Sequence, residues 1–228
     1  MRFTDVSAVV VDLDDTLYPQ SAYLVGAASA VGAAASAAGL DGPAIEAALQ
    51  RILAAGSDRG GTIDRALLAC GIPAARASAV MPALVAGFTA HQPATLDLYP
   101  GAVEALAALR ERYPVACLTD GTPTIQRAKL AATNLGNAFD AIIVTDELGG
   151  RRLRKPHPAG LQAAAKALGV PADQLVMIGD RPAKDVAAAH AVGARAIRVR
   201  TGEYAHAANH PAADAVVDSF ATAVELLD

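Results

Sequence analysis

The sequence predicts a doubly wound parallel α/β sheet, interrupted after its first strand by a block of helices. Three observations carry that prediction. An apolar, β-branched run near the start turns acidic where a strand should end. From about Ser21 to His91 the chain then reads as helical throughout. From Tyr99 onward, helical stretches alternate with short apolar strands, the pattern of a parallel sheet covered on both faces. The expected division is a core made of residues 1–18 and 97–228, with a helical cap of residues 19–96 inserted into it.

Ala8 to Val11 is the first expected strand, and Asp12-Leu13-Asp14-Asp15-Thr16-Leu17-Tyr18 follows it directly. Tyr18-Pro19 breaks the pattern. In the insertion, Ala44 to Ala55 is a helix with Pro43 near its start and Ile45, Leu49 and Ile52 on one face. Gly56 to Gly61 interrupts the helices with a polar, glycine-rich stretch whose only cation is Arg59. Thr62 to Ala69 and Ala74 to about Ala90 complete the block, making about four helices in all.

Beyond Tyr99-Pro100-Gly101, Ala102 to Arg112 is a helix with Val103, Leu106 and Leu109 on one side. Val115 to Thr119 is the second strand. Thr122-Pro123 opens the next helix, as an N-cap and a first-turn proline, with Ile125, Ala128, Ala132 and Leu135 on its inner face. Strands follow at Ala141 to Thr145, Gln174 to Ile178, Arg195 to Val199 and near Ala215 to Val217. Helices over Pro158 to Leu168, Ala183 to Val192 and from Phe220 separate or follow them. In such sheets ligands bind outside the carboxyl ends of the strands, where strand order reverses. Asp12, Thr119 and Asp180 each stand just after an expected strand, so the topology brings them to one crevice.

Composition narrows the function classes. With 53% apolar and 18% charged residues, the chain can build a substantial core. Aromatics at 4%, no Trp and a formal net charge of −4 leave neither a stacking surface nor a basic footprint for nucleic acid. Leu24 to Leu40 is uncharged but rich in Ala, Gly and Ser and short for a bilayer span, so an Ala-rich soluble helix is expected rather than a membrane segment. Cys70 and Cys117 are too few for a disulfide framework, and the first strand begins too early for a signal peptide. A cytoplasmic setting is therefore expected.

The polar residues at the strand ends carry the chemistry. Asp12 and Asp14 lie two apart, so in extended backbone they point the same way. Paired carboxylates suit a divalent cation such as Mg²⁺; a solvated turn after the strand is the lesser alternative. Thr119-Asp120-Gly121 between strand and helix offers a hydroxyl and N–H groups to an anion, or is an ordinary turn. Lys155 belongs to the basic run Arg151-Arg152-Leu153-Arg154-Lys155, which also reads as a solvated loop. Asp180 and Asp185 straddle a strand-to-helix turn and can meet one metal, or cap the helix. His206 and His210 are four apart, but Gly202, Asn209 and Pro211 make their segment a loop with no third ligand.

Asp12-Leu13-Asp14-Asp15-Thr16, then Thr119, Lys155 and the Asp180/Asp185 pair, in that order, resemble the four motifs of the haloacid dehalogenase superfamily. The resemblance covers the whole chain and implies a Rossmann-like core with a cap, acting as a Mg²⁺-dependent phosphatase on a small phosphorylated metabolite. It assigns Asp12 as the nucleophile that becomes an aspartyl-phosphate and Asp14 as general acid and base. Asp14 at that position favours a phosphatase or a phosphomutase over a dehalogenase. Thr119, Asp120, Gly121 and Lys155 would hold the phosphate, and Asp12, Asp14, Asp180 and Asp185 the metal. The family often has Asn where this chain has Asp120, so Asp120 is expected to turn aside and offer only its N–H. Arg59 is the candidate contact to the rest of the substrate. A phosphoryl-receiving signalling module is the rival from another class; its length and motif order fit less well.

Overall fold

The computed structural model describes residue 3 and residues 5–227. The chain forms two compact units, Met1–Pro19 with Thr95–Asp228, and Gln20–Ala94.

In the first unit, β1 is Ala8–Val11, and none of its four residues is exposed. It is followed, after the insertion, by α5 (Ala102–Arg110), β2 (Val115–Thr119), α6 (Pro123–Ala132), β3 (Ala141–Val144) and α7 (Thr145–Gly149). Then come α8 (Ala159–Leu168), β4 (Leu175–Gly179), α9 (Ala187–Ala191), β5 (Arg195–Val199), β6 (Ala215–Val217) and α10 (Phe220–Glu225). Among the described residues the strands form one six-stranded parallel sheet in the order β3-β2-β1-β4-β5-β6. The order runs outward from β1 in both directions, so the switch point lies between β1 and β4. Val11 pairs with Cys117 of β2 on one side and Ile178 of β4 on the other, which sets the three strand ends level. On one face Val10, Leu118 and Met177 pack with Leu161 and Ala164 of α8 and Ala188 of α9. Strands buried on both faces explain the unbroken apolar runs.

The second unit consists of α1 (Gln20–Ala37), α2 (Gly42–Ala54), α3 (Thr62–Ala69) and α4 (Ala74–Ala90). Its own core includes Val31, Ile45, Leu49, Leu67 and Leu84. Asp41 starts α2 by accepting the Ala44 N–H at 3.0 Å, ahead of Pro43 in the first turn. Within the first unit the Tyr99 N–H donates to the Leu17 carbonyl at 2.9 Å, so the chain segments flanking the insertion are held together. Among the described residues no helix is long and apolar enough to cross a membrane, and Cys70 and Cys117 are both free thiols.

Four sequence expectations need correction. The third strand stops at Val144, and Thr145 instead opens α7, a short helix with no apolar period to announce it. The stretch after Asp180 begins with one π-helical turn, Pro182–Val186, before α9. Val103 faces solvent; the buried stripe of α5 is Ala102, Leu106 and Leu109. Most consequentially, the buried face of α6 is Gln126, Lys129 and Leu130, continuing to Thr133, rather than Ile125, Ala128 and Ala132. Apolar spacing cannot find a helix face that is buried because its polar groups are paired.

Candidate active site

The carboxyl ends of β1, β2 and β4 meet at the switch point, and each delivers one polar residue. Asp12 extends the ladder past β1 by donating its N–H to the Ile178 carbonyl at 2.9 Å. The loop then turns sharply. Asp15 takes a left-handed conformation, φ 57°, which Asp tolerates better than most side chains. The Asp15 N–H bonds the Tyr18 carbonyl at 2.9 Å, the Thr201 hydroxyl donates to the Asp15 carbonyl, and the Glu203 N–H reaches the Asp15 carboxylate at 3.2 Å. The third carboxylate of the motif thus ties its loop to the exit of β5.

Asp12, Asp180 and Asp185 place one oxygen each within 4.8 Å of one another, all buried. Lys155 enters this cluster: its ammonium bonds the Asp12 carboxylate, Asp185 Oδ1 at 2.7 Å and the Leu118 carbonyl at 3.3 Å. The Arg181 N–H donates to Asp185 Oδ2 at 2.9 Å, so both Asp185 oxygens have donors. Asp185 can approach because Gly179 lacks a side chain; a Cβ there would sit 2.4 Å from Asp185 Cγ. Asp180 is different. Neither of its oxygens has a hydrogen-bond partner, and the Arg181 Nε stands 3.7 Å away.

One ammonium does not balance three buried carboxylates. Burial, followed by the Asp185 and Asp14 charges, pushes the Asp12 carboxyl up to about 7, against the opposing pull of Lys155. Burial, then Asp185 and Asp12, holds Asp180 well above the carboxylate range. Burial would lower Lys155, but Asp12, Asp185 and Asp120 outweigh it and keep the ammonium charged. Hard oxygens from Asp12 and Asp180, the latter with both oxygens unclaimed, fit a divalent cation.

At the end of β2, Thr119 is fully buried and its Oγ1 accepts from Gln126 Nε2. With that lone pair filled, the hydroxyl hydrogen is left to donate elsewhere. The side chain of Asp120 is turned aside. Its Oδ1 accepts the Thr145 hydroxyl at 2.9 Å and the Lys155 N–H at 3.0 Å, linking β2, α7 and the Lys155 loop. Gly121 follows at φ 139°, in the region open to glycine, and leads into α6. Thr122 stands at the N-cap of α6 without a side-chain cap bond.

Asp14 is placed apart from the acidic cluster. Lys129 Nζ lies 2.8 Å from both of its oxygens, Gln126 Nε2 donates to Oδ2 at 3.1 Å, and the Tyr18 hydroxyl donates to Oδ1. Burial would raise this carboxyl; the Lys129 charge and these hydrogen bonds prevail and hold it below its usual range. The metal set expected from the sequence included Asp14; its side chain is held by Lys129, while Asp12, Asp180 and Asp185 each bring one oxygen together. Gln126, Lys129 and Tyr18 were missed as site residues. The available signal was a polar pair three apart on the helix that leaves the Thr119 strand. Arg59 belongs to the second unit, where its side chain lies against Gly56, with Nε 2.8 Å from where a Cβ would be. His206 and His210 fall in irregular chain after β5, outside any metal-ligand group found among the described residues.

Several known proteins are similar to this chain. A profile of the haloacid dehalogenase-like hydrolases matches residues 6–193. The chain is 31% identical over 205 residues to the glyceraldehyde 3-phosphate phosphatase of Methanopyrus kandleri, covering 87% of this chain and 86% of that one. It is 34% identical over 224 residues to the phosphoglycolate phosphatase of Rhodospirillum rubrum, covering 94% and 88%. The crystal structure of a predicted phosphoglycolate phosphatase from Haemophilus somnus 129pt superposes with a TM-score of 0.74 over 99% of this chain and 100% of that one, at 21% identity.

Proposed function

The chain belongs to the haloacid dehalogenase-like hydrolases and is a phosphoric monoester hydrolase of that family. From this premise we propose that it releases phosphate from a small phosphorylated metabolite through an aspartyl-phosphate on Asp12, with Mg²⁺ as its metal. The observation that carries the reading is the contact of Lys155 with Asp12 beside an Asp180 whose two buried oxygens have no partner.

Asp12 and Asp180 would hold the cation, and Asp185, its oxygens taken by Lys155 and the Arg181 N–H, would orient Lys155. When bound, the cation supplies the positive charge that lets a phosphate dianion approach these carboxylates. The phosphate dianion entering beside Asp14 favours uptake of a proton by its carboxylate, which is ionised before substrate binds. In the first step an Asp12 oxygen attacks phosphorus, the bond to the leaving oxygen breaks, and the protonated Asp14 carboxyl gives that oxygen its proton. Thr119 donates its hydroxyl hydrogen to a phosphoryl oxygen, and the Lys155 ammonium offsets the charge that builds there. In the second step Asp14, now ionised, takes a proton from water as the water oxygen bonds to phosphorus. The bond to Asp12 then breaks and phosphate leaves. A reducing compartment such as the cytoplasm suits the free Cys117 buried in β2.

The test is Mg²⁺-dependent phosphate release from phosphoglycolate and glyceraldehyde 3-phosphate by wild type and Asp12→Asn. The variant keeps the shape of the side chain without a nucleophilic oxygen pair, so turnover should fall by about a thousandfold or more. Near-normal release by Asp12→Asn, in preparations free of contaminating phosphatase, would exclude the mechanism.

A further inference from the structure

We propose that Lys129 is a positioning residue for the reaction, a buried ammonium that fixes the orientation of the Asp14 carboxylate and thereby aims at the leaving oxygen the proton that Asp14 takes up with substrate bound. The role presupposes that Asp14 is the acid, as in the reading above.

Asp14 lies in a loop beyond β1, and the carboxylate cluster that fixes Asp12 does not include it. Its two side-chain torsions must be set by something else. Tyr18 sets one oxygen from within the same loop. The other constraints come from α6, where Gln126 and Lys129 are three apart and therefore on one face. Lys129 reaches both oxygens at the same distance, 2.8 Å, which fixes the plane of the carboxylate and not merely its position. Gln126 joins this arrangement to the end of β2 by donating to Thr119 Oγ1 as well as to Asp14. The acceptor on Asp14 also settles which way the amide faces, since an ionised carboxylate requires the NH₂ end. A lysine side chain with 4% exposure is unusual, because its flexible stem and charge favour solvent unless a partner holds them.

A lysine that merely neutralised a buried acid would show the same contacts, but the two roles differ in the reaction. An alkoxide leaving group needs a proton delivered along a defined line. A 2,4-dinitrophenolate leaves as a stable anion and needs none. The experiment measures kcat/KM for an alkyl phosphate and for 2,4-dinitrophenyl phosphate in wild type, Lys129→Met, Asp14→Asn and the double variant. Lys129→Met should lose about 100-fold on the alkyl ester, the size of a general-acid contribution, and less than about fivefold on the dinitrophenyl ester. The double variant should lose no more than Asp14→Asn alone, because Lys129 acts through Asp14. Lys129→Gln, which keeps a donor, carries the same test if the methionine variant does not fold. Equal losses on both esters, or additive losses in the double variant, would overturn the positioning role while Asp14→Asn kept its own leaving-group dependence. Absence of that dependence in Asp14→Asn would instead remove the acid assignment, and the role of Lys129 with it.

Discussion

Asp180 and Asp185 stand five positions apart in one turn, yet they occupy opposite electrostatic situations. Asp185 has a donor on each oxygen, whereas Asp180 has none. An unsatisfied buried polar group costs on the order of 1–3 kcal/mol. Replacing Asp180 by a neutral amide removes its repulsion with Asp185 and Asp12. In chelator at pH 8, Asp180→Asn should therefore unfold at a higher urea concentration than wild type. In return it should lose the stabilisation that Mg²⁺ gives wild type, since an amide oxygen is a poorer ligand than a carboxylate. Without metal, an Asp12 carboxyl raised from 3.8 to about 7 keeps a proton that the unfolded chain has already released. Its contribution to stability is complete below pH 3.8 and is lost as pH rises through about 7. Protons and Mg²⁺ compete for the same oxygens, so the Mg²⁺-induced rise in wild-type melting temperature should grow from pH 5 to pH 8. Melting curves with and without Mg²⁺ at those pH values decide both points; an equal Mg²⁺ shift in Asp180→Asn would reject Asp180 as a ligand.

Elements matter here for where they end and for what they leave out. β4 ends in Gly179, and the missing side chain is what allows the following π-helical turn to bring Asp185 against the strand. Gly179→Ala would put a methyl group 2.4 Å from Asp185 Cγ, so the carboxylate must move away from Lys155. We expect a loss of about 1–3 kcal/mol in urea unfolding together with weaker Mg²⁺ binding by calorimetry. Wild-type values in both measurements would show that the turn relaxes without displacing Asp185. The strands themselves were legible in the sequence because a parallel sheet buries both faces, and Val9-Val10-Val11 or Val176-Met177-Ile178 has no other economical place to go. The polar residues directly after them were legible as well, since topology alone brings the ends of β1, β2 and β4 together. The α6 face was not. Gln126 and Lys129 are buried by partners 112 and 115 positions away, and no local period encodes a contact of that range. The same applies to the partner of Asp14, since Lys129 lies 115 positions away.

On the scale of the whole molecule, the residues assigned to the chemistry all belong to the unit formed by Met1–Pro19 and Thr95–Asp228. The unit Gln20–Ala94 has its own apolar core and, between α2 and α3, one glycine-rich polar break. Gly56 has φ 146° and no side chain, which leaves room for Arg59 to lie over it, and Arg59 itself is exposed. The sequence expectation that Arg59 contacts the part of the substrate beyond the phosphate can be checked by substitution. Phosphoglycolate, on which the Rhodospirillum rubrum relative acts, carries a carboxylate there that a guanidinium can grip with two hydrogen bonds. Glyceraldehyde 3-phosphate carries no second anion. Arg59→Ala should then lower kcat/KM for phosphoglycolate about tenfold relative to glyceraldehyde 3-phosphate, equivalent to about 1.4 kcal/mol of lost discrimination. Turnover of p-nitrophenyl phosphate should stay at the wild-type level, because that ester offers the guanidinium nothing to bind in either protein. If the ranking of the three esters is the same in wild type and Arg59→Ala, the arginine is surface charge and selectivity comes from other side chains.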